Sequence, residues 1–113
     1  MKVKVFKRKG LSGAEVDFAS VSNAQSVTQK DIAREIEETV GIPMIRSMSV
    51  LEAFATIVRK NIAEGNIVEI EGIGRVRVSV TVKDGTPVLN KLILLPSKTL
   101  KAELDKVSVE IED

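Results

Sequence analysis

Cysteine and histidine are both missing from this chain of 113 residues. Without cysteine there is no disulfide framework, no thiol nucleophile and no thiolate metal site. Without histidine the commonest acid–base group and the commonest metal ligand are gone as well. No cofactor and no metal are therefore expected. Tryptophan and tyrosine are absent too, and three phenylalanines make up the 3% of aromatic residues. The core must be built from Ile, Val and Leu. No run of about 18 apolar residues occurs, so no segment is expected to cross a membrane. The start, "MKVKVFKRKG", is basic but lacks the apolar stretch of a signal peptide, which makes the cytoplasm the default compartment. Charge of one sign is not in excess either: the net charge is +1. Composition alone asks for no polyanion, so any nucleic-acid surface has to come from local sorting of charge.

What is present is an ordinary globular mixture, 43% hydrophobic and 29% charged, of a length that suits one domain. "KVKVFKRK" (Lys2 to Lys9) sets Val3 and Val5 against Lys2 and Lys4, the alternation of a half-buried strand. Gly10 and Gly13 mark a turn. Ala14 to Ser22 alternates again, with Val16 and Phe18 on one face, so the two segments suit a hairpin. "NAQS" follows as a loop. Thr28 then opens a helix, with Asp31 placed to complete a capping box. Ile32, Ile36 and Val40 form its single apolar stripe, and Gly41 suits a left-handed cap. Pro43 is expected in the first turn of the next helix.

That second helix, roughly Met44 to Ala63, has two apolar sides. Met44, Met48, Leu51, Ala55, Val58 and Ile62 follow a 4-3-4-3-4 spacing, like a coiled-coil seam. A second stripe runs through Val50, Phe54 and Ile57. Two apolar faces need two neighbours. One is the protein's own sheet or first helix. The other is either a second copy of the chain or further parts of one small monomer wrapped around a central helix. Gly65 ends the helix. "NIVEIE" and "RVRVSVTV" read as strands, Asp84-Gly85 as a hairpin turn, and "VLNKLILL" as the returning strand. Pro96 stops it, Ser97 can cap a short helix "KTLKAELDK", and "VSVEIED" alternates once more as a last strand.

The order helix, helix, strand, Gly-x-Gly, strand, hairpin, strand, Pro, helix resembles the HU and integration-host-factor family of bacterial DNA-bending proteins. The likeness runs from about Thr28 to Lys106. Its most specific block is Gly65, Val68, Ile70, Gly72, Ile73, Gly74, Val76 and Val78. Gly41-Ile42 stands where the family has Gly-Leu between its helices. A third block is Leu94, Pro96, Ser97, Lys98, Leu100 and Lys101. The resemblance implies an α+β fold: two helices in the N-terminal half packed on an antiparallel sheet, a β-hairpin arm, a short C-terminal helix, and an intertwined dimer. It divides the chain into a β-strand extension over residues 1–25 and an HU-like domain over 26–113. It also implies double-stranded DNA as partner, a homodimer, no membrane and no small-molecule substrate, no enzymatic activity, and a place in the cytoplasmic nucleoid. The strands before Gln25 are extra to the family pattern. The hairpin between Val78 and Lys91 is shorter than the family's arm and lacks its Arg-Asn-Pro tip, whose proline wedges between base steps.

Gly72 and Gly74 let the strand turn where a side chain would clash or positive φ is required. Beyond them Val76, Val78, Val80 and Val82 take one face, and Arg75, Arg77, Ser79, Thr81 and Lys83 the other. The resemblance makes the second face a saddle on the phosphate backbone. The residues expected to bind DNA are Arg75, Arg77, Lys83, Lys91, Lys98 and Lys101, the last two near a helix N-terminus, where backbone N–H groups also favour phosphate. The competing reading is a plain solvated strand face, since any half-exposed sheet alternates in this way. Ile93 and Leu95 fall on the same side as Lys91 and suit either a cover by the N-terminal strands or a protein-binding surface.

Lys7-Arg8-Lys9 reads equally as a further phosphate contact or as charge defending an edge strand. The acidic clusters Glu35/Glu37/Glu38 and Glu110/Glu112/Asp113 have no nucleophile or paired base beside them, so no catalysis is indicated. The first is expected to be a solvated face. The second is complementary to the basic "KVKVFK", which suggests that the two chain ends meet in a sheet. Two functions remain: a non-enzymatic protein that binds and bends DNA through its backbone, or a dimerisation or scaffold module of the same fold with weak or lost DNA binding.

Overall fold

The computed structural model describes residues 1–10 and 13–112. They form β1 (Lys2–Lys9), β2 (Glu15–Val21), α1 (Gln29–Val40), α2 (Met44–Ala63), β3 (Val68–Ile70), β4 (Gly74–Lys83), β5 (Thr86–Pro96), α3 (Lys98–Asp105) and β6 (Glu110–Ile111). The chain divides into two compact units. One joins Met1–Ser26 to Leu104–Asp113, and the other is Val27–Glu103.

The first unit is a three-stranded sheet in the order β2-β1-β6. β1 and β2 are antiparallel, and at the end where the chain passes from one to the other the Gly13 N–H donates to the Gly10 carbonyl at 3.0 Å. The expected meeting of the chain ends occurs: β6 runs parallel to β1, with Lys2 opposite Glu110 and Val3 opposite Ile111. This last strand is shorter than its alternating sequence suggests. Asp113 of the acidic cluster lies outside the described residues. Cross-strand charges also match between β1 and β2, Lys7 facing Asp17 and Lys9 facing Glu15, an arrangement that favours this register over its neighbours. Phe6 and Phe18 stack with centroids 5.8 Å apart. The Arg8 guanidinium lies 5.2 Å from the Phe18 centroid, within cation–π range. The basic run Lys7-Arg8-Lys9 thus stands opposite carboxylates in the register, and its Arg8 lies over aromatic rings of its own unit.

The second unit begins with the expected capping box. The Asp31 N–H donates to Thr28 Oγ1 at 3.2 Å, and the Thr28 N–H donates to Asp31 Oδ2 at 3.0 Å. These bonds hold the Asp31 carboxyl below its ordinary value, the Thr28 backbone bond first and its hydroxyl second, because both stabilise the charged form. Gly41 ends α1 in the left-handed region with φ 76°. Pro43 is the residue that caps α2 rather than a member of its first turn. Having no side-chain donor or acceptor, it leaves the cap to Glu37, whose Oε2 accepts from the Met44 N–H at 2.7 Å. One member of the acidic cluster on α1 therefore has a structural task instead of a purely solvated one. The charge sits at the positive end of the α2 dipole.

α1 packs on α2, and small residues are buried on both helices, Ala33 on α1 and Ser47 on α2. The α2 seam of Met44, Met48, Leu51, Ala55, Val58 and Ile62 is half-buried throughout. The second stripe stays open to solvent, with Phe54 49% and Ile57 58% exposed. α2 also lies on β3 and β4, the first two strands of an antiparallel sheet in the order β3-β4-β5.

Candidate nucleic-acid interface

The β3–β4 turn creates the surface. The Ile73 N–H donates to the Ile70 carbonyl at 3.0 Å, and Gly72 has φ 79°, so the chain reverses within two residues. Gly74 then starts β4 directly against β5. A Cβ there would overlap the Leu95 carbonyl oxygen and lie 3.0 Å from the Leu95 carbonyl carbon. Glycine is required at this point for close backbone approach.

From Gly74 onward the pleat sorts the side chains. Val76 pairs with Leu94 and Val78 with Leu92, while Arg75 pairs with Leu95, Arg77 with Ile93 and Ser79 with Lys91. Paired residues of antiparallel strands share a face. One face is thus Val76, Val78, Leu92 and Leu94. The other carries Arg75, Arg77, Lys91, Ile93 and Leu95. A bulge between Ser79 and Val80 breaks the register, and beyond it Val80 pairs with Leu89 and Lys83 with Thr86. Asn90 is the extra residue. Its physical reason lies in the spacing Leu89, Leu92, Leu94. Strict alternation would turn Leu89 onto the cationic face, and one additional residue keeps it with the valines. The hairpin closes at Asp84 (φ 53°) and Gly85 (φ 78°), both in the left-handed conformation of the tight turn whose twist suits a hairpin.

The six expected residues are not equivalent in this arrangement. Arg75, Arg77 and Lys91 lie together on the polar face of β4 and β5. Lys83 shares that face but stands at the hairpin tip. Lys98 opens α3, whose first turn is capped by Ser97: the Leu100 N–H donates to Ser97 Oγ at 3.1 Å. A cleft of about 760 Å³ brings Lys98 together with Arg75, between Glu69, Glu71, Gly72 and the Leu95–Ser97 segment. Lys101 is one turn further along α3 and does not line that cleft. Ile93 and Leu95 do fall on the cationic face, opposite Arg77 and Arg75.

Sequence reasoning passed over two carboxylates. Glu69 sits opposite Arg75 in the β3–β4 register, and its Oε1 is 3.0 Å from Arg75 Nη2. Glu71 lines the same cleft. The signal was present in "NIVEIE": if Val68 and Ile70 turn toward α2, Glu69 must turn the other way. Arg75 is the one expected phosphate contact with an ion-pair partner among the described residues. The described residues hold no cluster of His, Cys, Asp or Glu suited to a metal ion, and no helix among them is long and apolar enough to cross a membrane.

Comparison with known proteins adds the following. Residues 1–111 match the model of the HU-HIG family, described as an HU domain fused to a winged helix-turn-helix, Ig or glycine-rich motif. No curated protein matches the chain. Among solved structures, the chain is similar to a crystal structure from Bacteroides vulgatus, described as a candidate bacterial DNA-binding protein. The TM-score is 0.67 at 14% identity, over 97% of this chain and 48% of that one. The chain therefore spans about half the length of that neighbour, and at this identity the likeness concerns the fold.

Proposed function

Since the chain belongs to the HU-HIG family of HU domains fused to other motifs, we propose that it is a non-enzymatic DNA-binding protein of the nucleoid that acts as a dimer and grips the phosphate backbone of double-stranded DNA. The observation that carries this reading is the sorting of the β4–β5 hairpin, which puts Arg75, Arg77, Lys83 and Lys91 on one face, and Val76, Val78, Val80, Leu89, Leu92 and Leu94 on the other. A stripe of cations on a twisted sheet meets phosphates and reads no base edges, so the affinity is expected to be broad in sequence. Family membership and the DNA-binding description of the Bacteroides vulgatus neighbour both support it.

What one chain fails to bury supports the dimer. Val3 and Ala33 are the buried hydrophobic side chains among the described residues. Leu89 is 76% and Leu92 61% exposed on the apolar sheet face, and the Phe54–Ile57 stripe of α2 is open as well. A homodimer in which each sheet covers the partner's α2 stripe removes that surface from water, and an intertwined interface of this kind is in the obligate range. Each dimer then presents two cationic hairpins, so its short arms embrace DNA from both sides and bend it modestly.

Fluorescence anisotropy with a labelled duplex at two salt concentrations tests the proposal. Log affinity is expected to fall by about 0.9 for each neutralised phosphate per tenfold rise in salt. Arg77→Ala with Lys91→Ala is expected to weaken binding to unrelated sequences alike and to flatten that slope. Absence of binding at low salt with the dimer intact assigns the fold to a scaffold role instead, a reading that Ile93 and Leu95 on the cationic face would then support.

A further inference from the structure

The cationic face has an acidic border. β3 delivers Glu69 and the β3–β4 turn delivers Glu71 to the cleft that also holds Arg75 and Lys98. Two carboxylates and two cations meet there, whereas Arg77 and Lys91, on the open part of the sheet, have no ion-pair partner among the described residues. The Glu69–Arg75 pair is built into the strand register, Glu69 standing directly opposite Arg75. Both side chains are well exposed, at 67% and 63%. Such a pair adds little to stability. Its effect on a polyanion is larger. A phosphate that approaches Arg75 must displace the carboxylate from the guanidinium and also sit beside an uncompensated negative charge, and like charges in contact across an interface oppose binding.

Resting on the DNA-binding reading, we infer that Glu69 is a negative determinant of phosphate binding, an internal competitor that occupies Arg75 and confines the DNA footprint to the Arg77–Lys91 side of the sheet. Arg75 is then a reserve cation. It contributes little while Glu69 is ionised, and becomes a full phosphate contact when that charge is removed. The inference distinguishes Arg75 from Arg77 although the two are equivalent in sequence, two residues apart on the same face. It also accounts for acidic residues at the mouth of a cleft whose other polar groups, Lys98 and the capped N-terminus of α3, favour anions.

A double-mutant cycle on the full chain tests it. The dissociation constant for a labelled duplex and its salt dependence are measured for wild type, Glu69→Gln, Arg75→Ala and the combination. Melting temperatures verify that each variant is folded, and Glu69→Thr, which favours a strand, serves if the glutamine disturbs β3. Glu69→Gln is expected to raise affinity at low salt about tenfold and to steepen the log–log salt slope by about 0.9 for every phosphate newly neutralised. Arg75→Ala is expected to cost less than about twofold in wild type and about tenfold in the Glu69→Gln background, a coupling that independent sites would not show. Equal losses in both backgrounds, with wild-type binding intact, overturn the role of Glu69 and leave DNA binding standing. No binding by wild type and Glu69→Gln alike at low salt overturns both.

Discussion

At Gly74 there is no room for a side chain, because β5 passes directly against its Cα and the Leu95 carbonyl occupies the place of a Cβ. The valine substitution therefore has no low-cost conformation: either the β4–β5 ladder opens or the β3–β4 turn shifts. Gly74→Val is expected to destabilise the protein by more than about 2 kcal/mol, at the upper end for backbone strain. The midpoint of chemical denaturation checks this, and an unchanged midpoint would show that the close approach is incidental. Gly74 was legible in the sequence as a bend in a strand. The atom that forbids its replacement was not, since Leu95 is distant in sequence and approaches only when β5 returns.

The α2 helix bears two stripes whose fates differ. Leu51 belongs to the half-buried seam, whereas Phe54 and Ile57 face solvent in a single chain. A charge on each is expected to act differently. Leu51→Lys places an unpaired ammonium within the unit and unfolds it. Phe54→Lys spoils only the surface that a second copy would cover, so on the proposed dimer it is expected to favour monomer and to make the melting temperature depend more steeply on protein concentration. Light scattering at micromolar concentration distinguishes them. A wild-type chain that is folded and monomeric under those conditions would remove the dimer altogether. At this scale the seam was readable from its 4-3-4-3-4 spacing and the second stripe from Val50, Phe54 and Ile57, but which of them turned inward was decided only by the packing of α2 on α1, β3 and β4.

For the whole molecule the proposed role turns on how short the arm is. The arm ends at Asp84-Gly85, and Pro87 lies two residues past the turn, paired with Val82 on the apolar face of the hairpin. A proline that wedges between base steps must project from the tip, and this one does not. Pro87→Ala is accordingly expected to leave the bend of a bound duplex nearly unchanged, measured as the end-to-end distance of a doubly labelled fragment by energy transfer. A pronounced straightening would make Pro87 a wedge after all. Bending by this protein is instead expected to come from phosphate neutralisation on the two hairpins of a dimer, and so to relax as salt is raised.

By itself the sequence determined what periodicity and turn chemistry control. Strand, helix and hairpin order followed from alternation, the Thr28 capping box and the Asp84-Gly85 turn. The cationic face followed from the parity of Arg75 and Arg77, and the meeting of the chain ends from the opposite charges of "KVKVFK" and "VSVEIED". These signals are local, or are patterns that each segment carries alone. The tertiary structure decided everything that depends on one segment lying beside another. It set Glu69 against Arg75, moved Asn90 out of the ladder to keep Leu89 with the valines, and sent Glu37 across a loop to cap α2. Each of these is a choice of register or reach. Register is settled by the packing of an apolar face against its neighbour, and no single strand contains that information.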